Sequence, residues 1–67
     1  MVVVGDMVMI YGGRGKLYSG EGEVEWKMGE YGVVVGVEEL EGYEYKQVTV
    51  LLGERVGWTY SDYLEVL

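Results

Sequence analysis

The 67-residue chain contains no cysteine and no histidine, and these two absences remove much of the chemistry open to a small domain. Without thiolate or imidazole there is no ordinary ligand set for structural zinc, no thiol nucleophile and no imidazole acid or base. No disulfide can staple the fold, and a chain of this size buries only about 60% of its unfolded surface, so its stability is expected to be marginal. The lack of cysteine leaves the redox compartment open. Proline, phenylalanine and alanine are missing too. Without proline no turn is preset, while 12 glycines enlarge the unfolded ensemble, a mild reason to expect self-association. Met1 is followed by VVVG and Asp6, with no basic segment and no apolar run long enough to span a bilayer. Neither a signal peptide nor a membrane span is therefore expected, and the expected location is the cytoplasm.

Positive charge is also scarce. Twelve acidic residues face five basic ones, a formal net charge of −7. That disfavours a nucleic-acid surface, where lysine and arginine must neutralise phosphate, and it suits a basic partner or simple solubility. Much of the rest is valine, glutamate and tyrosine, a mixture that favours strands over helices. The length allows one domain, residues 1–67.

Val2 to Val4 precede Gly5 and Asp6, a pair that predicts a turn launching a strand over Met7 to Tyr11. Val8 and Ile10 share one face of that strand, Met7, Met9 and Tyr11 the other. Both faces are apolar, so more than one sheet is expected to cover them. Residues 12–32 are glycine-rich and lack a sustained period, which predicts a long loop or irregular hairpin. Alternation across Glu23, Val24, Glu25 and Trp26 favours a ribbon leg there. In GVVVGVEEL, Val33, Val35 and Val37 alternate with Val34 and Gly36, and Gly36 marks a bulge or a close backbone approach. KQVTVLL places Val48, Val50 and Leu52 opposite Gln47, Thr49 and Leu51. Gly53 and Glu54 form a tight hairpin turn, and the partner strand runs from about Arg55 to Thr59. A 3₁₀ turn is expected at about Tyr60 to Tyr63, and a last strand at Leu64 to Leu67. The expected architecture is all-β: five short strands in a closed or nearly closed antiparallel barrel.

The tail, GWTYSDYL from Gly57 to Leu64, resembles the ending of SH3 domains. GDMVMI, GVVVGV and the closing YLEVL together resemble small SH3-like barrel proteins encoded by tailed bacteriophages, across nearly the whole chain. The resemblance implies a five-stranded SH3-like barrel with a long RT-type loop at residues 12–32, and a host cytoplasm or virion location. It implies no activity. Signalling SH3 domains differ in three places. Their ALYDY-type opening survives only as Tyr11, their central Trp is missing near Tyr43 to Lys46, and Tyr60 stands where a groove Pro would be. By position, Tyr11, Tyr63 and Tyr60 carry over to the ligand groove, but proline-rich recognition does not follow. KOW domains, related barrels that contact RNA, share the Gly-Asp-x-Val opening, and the charge balance opposes that reading.

Tyr11, Trp26, Trp58, Tyr60 and Tyr63 are the candidate groove residues, because Tyr and Trp present large rigid area with a polar tip. The bland alternative has Trp58 and one or two tyrosines closing the barrel ends. Trp58 itself points inward by alternation with Val56 and outward by the SH3 alignment. Glu21, Glu23 and Glu25, with Glu30, resemble the acidic loop that selects Arg or Lys in a ligand, or else serve as a solvated rim. GGRGKLYSGEG fails as a phosphate loop, since Ile10 occupies the place of the first Gly of a Walker motif and Leu17 that of its Ser or Thr. Glu38, Glu39 and Asp6 lack any histidine to anchor a metal, and Ser19 and Ser61 lack one to activate them. No enzyme activity, cofactor or metal is expected. The expected function is that of a protein-binding or assembly module, the alternative a self-associating structural protein.

Overall fold

A computed structural model describes residues 1–10, 16–20, 22–25 and 30–67, with backbone only at 16 and 24. The described residues form seven strands and one 3₁₀ turn: β1 (Met7–Ile10), β2 (Lys16–Ser19), β3 (Gly22–Glu25), β4 (Gly32–Glu39), β5 (Lys46–Leu52), β6 (Arg55–Tyr60), the turn Ser61–Tyr63 and β7 (Leu64–Val66). Among them no helix is long and apolar enough to cross a membrane. The sheet runs β3-β2-β6-β5-β4-β1-β7, every pairing antiparallel. This corrects the expected count of five. The additional strands, β2 and β3, lie in the glycine-rich span and pair from Lys16↔Glu25 to Ser19↔Gly22. The order is open, with β3 and β7 at its edges, so closure is not part of the pairing.

The core explains how an open order can still bury its valines. Val8, Ile10, Leu17, Val34, Val48, Val50, Leu52 and Leu64 form one cluster, with Val2 and Val37 packed against it. Those buried residues come from β1, β2, β4, β5 and β7, so the sheet must curl until distant strands share one interior. Burying a Val or Leu side chain is worth about 1.5–3 kcal/mol, which makes this cluster the main favourable contribution to the fold.

Turn chemistry sets the registers. Gly5 adopts φ 99°, its N–H donates to the Val34 carbonyl (2.8 Å), and the Val34 N–H donates to the Asp6 carbonyl (2.9 Å). Asp6 Oδ2 accepts from the Val3 N–H at 2.9 Å, closing the predicted Gly-Asp turn. Gly53 has φ 64° in the two-residue loop between Leu52 and Arg55, which face each other across the ladder; the turns that match strand twist need a positive φ there. The bulge expected at Gly36 is present, with Val34↔Val50 followed directly by Gly36↔Thr49. It also corrects the expected alternation of β4. Val33 and Val35 stay outside, 39% and 45% exposed, but beyond the extra residue Val37 turns inward opposite Val48.

Candidate functional site: an aromatic strip on the outer face of the sheet

Antiparallel partners share a face, so the registers assign every outer side chain. Val48↔Thr59 and Val50↔Gly57 face the core, whereas Thr49↔Trp58 and Gln47↔Tyr60 face outward. Trp58 is therefore an outer, half-buried residue that shares the exposed face of Val56, and Thr59 is fully buried, which corrects the inward phase expected for Trp58 by alternation. Tyr18 on β2 faces Trp58 on β6, with ring centroids 5.0 Å apart. The close crossing depends on Gly57. A Cβ there would lie 2.6 Å from the Leu17 Cβ and 3.1 Å from the Tyr18 carbonyl oxygen, so Leu17 occupies the space that a side chain at 57 would fill.

From Trp58 the rings continue without a gap. Trp58 meets Tyr60 edge to face at 5.4 Å, and Tyr60 meets Tyr45 at 5.1 Å and Tyr63 at 6.1 Å. Tyr45 and Tyr43 lie 5.1 Å apart. Spacings of this kind are those of favourable aromatic pairs, and each ring holds its neighbours in place. The 3₁₀ turn presents Tyr63, and the Lys46 N–H donates to Ser61 Oγ at 2.8 Å, fixing that turn against the start of β5. Partial burial pushes the Tyr45 phenol above its ordinary value, and the neighbouring Tyr43, Tyr60, Asp62 and Tyr63 push it the same way.

Charge around the strip is negative. Glu23 faces Tyr18 across the β2–β3 ladder, Glu44 sits between Tyr43 and Tyr45, Asp62 adjoins Tyr63, and Glu38 faces Gln47, the partner of Tyr60. All four acids are exposed. Lys46 lies 3.8 Å from a Glu39 carboxylate oxygen. The expected acidic loop is not uniform. The Arg55 Nη2 donates to Glu30 Oε2 at 3.2 Å, pairing that carboxylate, and its Nη1 donates to the Glu25 backbone carbonyl at 3.0 Å, which ties β3 to β6.

Of the candidate residues, the structure brings Trp58, Tyr60 and Tyr63 together and places Glu23 and Glu25 on β3. Tyr11, Trp26 and Glu21 lie outside the described residues. Sequence reasoning missed Tyr18, Tyr43 and Tyr45. The i, i+2 spacing of Tyr43 and Tyr45 was the available signal for two of them; Tyr18 is tied to Trp58 only by long-range pairing. Comparison with protein-family models, curated proteins and solved structures returns no match.

Proposed function

We propose that this chain is an SH3-like small barrel acting as a non-enzymatic binding module, which takes a basic protein or peptide segment on the strip Tyr18, Trp58, Tyr60, Tyr45 and Tyr63. The observation that carries the reading is the unbroken ring contact from Tyr18 to Tyr63 within a rim of exposed carboxylates. Rigid aromatics lose little entropy on binding, carboxylates steer cations, and arginine stacks on such rings. The SH3-like part of the proposal is supported by β7 lying beside β1, by the β2–β3 hairpin laid on β6, and by the 3₁₀ turn before the last strand. Tyr43 and Tyr45 then stand where signalling SH3 domains carry tryptophan, and Tyr60 where they carry proline, so the surface offers phenol hydroxyls in place of a proline-shaped slot.

The test is selection from a displayed random peptide library. Enriched peptides rich in arginine or lysine, whose binding falls by about tenfold or more in Tyr60→Ala, support the reading. Peptides that bind the Tyr60→Ala and Trp58→Ala variants as well as the wild type would sink it.

A further inference from the structure

A second feature of the outer face lies beside the rings, its nearest member Val56 two residues along β6 from Trp58. Met7 on β1 faces Val33 on β4, Val33 faces Leu51 on β5, and Leu51 faces Val56 on β6. Four adjacent strands thus set a large aliphatic side chain at one register, and all four point outward, 52%, 39%, 38% and 49% exposed. Val35, thrown out by the bulge, adds a fifth at 45%. At about 4.8 Å between strands the row is about 14 Å long. Scattered exposed apolar residues are ordinary, but a contiguous row of this kind marks an interaction site.

We infer that this row is a homodimer interface, in which the outer face of one copy packs on that of a second. The occupant follows from charge. The chain carries −7, so two copies repel least where neither presents a carboxylate. Met7, Val33, Val35, Leu51 and Val56 bear no charge, nor do Gly36, Thr49 and Trp58 in the next row. A basic partner selected by charge has nothing to pair with there, whereas an aliphatic row meets its own copy across a two-fold axis with the same side chains on both sides. A standard interface takes about 800 Å² from each partner, about a sixth of the 4661 Å² of this chain, so an interface of that size extends from the row over the adjacent Gly36, Thr49 and Trp58. Gln47, level with Tyr60, is four residues along β5 from Leu51, about 13 Å away. Tyr45, Tyr60 and Tyr63 therefore lie outside the row, whereas Trp58, two residues along β6 from Val56 on the same face, adjoins it, so dimer and ligand compete for that end of the strip.

Sedimentation equilibrium of the full chain from about 5 to about 500 µM tests it, since dimer stability must follow mass action. The wild type is expected to dimerise within that range, more tightly as salt screens the like charges. Leu51→Lys and, separately, Val56→Lys are expected to weaken the dimer by at least about tenfold with unchanged circular dichroism, because each buries an ammonium group at the interface. Glu41→Gln, in the turn before β5, should leave the mass distribution alone. In parallel, the methyl resonances of Met7, Val33, Leu51 and Val56 in the wild type should shift with concentration, a readout that survives if a lysine variant fails to fold. A wild-type monomer throughout the range overturns the inference, as does a dimer that salt dissociates, or one whose concentration-dependent shifts fall elsewhere.

Discussion

At position 59, β6 points a hydroxyl into a core of valines and leucines. Thr59 is fully buried, and among the described residues its Oγ1 has no hydrogen-bond partner. Leaving a hydroxyl dry and unpaired costs more than the hydroxyl contributes, so Thr59→Val is expected to stabilise the fold by about 1 kcal/mol, read as a higher urea midpoint at constant slope. The neighbouring Gly57 predicts the opposite. A methyl group there meets the Leu17 Cβ at 2.6 Å, and Gly57→Ala is expected to cost about 1–3 kcal/mol through overpacking. Tyr45 makes a pH prediction. Its folded-state pKa is raised above the ordinary 10.0 by burial and by Tyr43, Tyr60, Asp62 and Tyr63. The unfolded chain then releases the phenolic proton first, so this contribution is complete below about pH 10 and is lost as pH rises through the folded-state pKa. Urea midpoints across that window should fall more for the wild type than for Tyr45→Phe.

Among the elements, the β2–β3 hairpin joins the rest of the sheet through β6. Among the described residues Tyr18↔Trp58 is the one register pair that joins β2 to β6, and Arg55 adds bonds to the Glu25 carbonyl and the Glu30 carboxylate. The ion pair is half exposed and worth well under about 1 kcal/mol to the whole fold. Arg55→Gln should accordingly leave the unfolding midpoint nearly unchanged while raising amide exchange across Gly22–Glu25, a local opening in place of a global one. The elements with strong local signals were legible in the sequence. Gly5-Asp6 and Gly53-Glu54 are turns, Gly36 accompanies a bulge, Val48, Val50 and Leu52 face inward, and the 3₁₀ turn precedes the last strand. The strand count was not, because β2 and β3 are four residues each and alternate weakly among glycines. The inward turn of Val37 was hidden for another reason: a bulge inverts the alternation of every residue beyond it, and its position depends on the partner strand.

For the molecule as a whole, one curled sheet divides its apolar residues between an interior of aliphatic side chains and an outer face carrying rings at one end and an aliphatic row at the other. Trp58, Tyr60 and Tyr63 were recognisable from the tail alone, since they fall within seven residues of Gly57. Their continuation through Tyr18 and Tyr45 could not be, because it arises when β2 and the start of β5 are brought to β6. The acid rim has the same origin, with Glu23, Glu44 and Asp62 contributed by three separate segments. If the strip is a ligand face, its rings should respond together to one chemical class of ligand. The most direct measurement is a ¹⁵N–¹H correlation spectrum of the full chain titrated with two random decapeptide pools, one enriched in Arg and Lys, the other in Asp and Glu. Tyr18, Tyr45, Trp58, Tyr60 and Tyr63 are expected to shift with the basic pool alone, and the shifts to shrink as salt is added. Shifts with both pools alike, or confined to residues away from those rings, would contradict it.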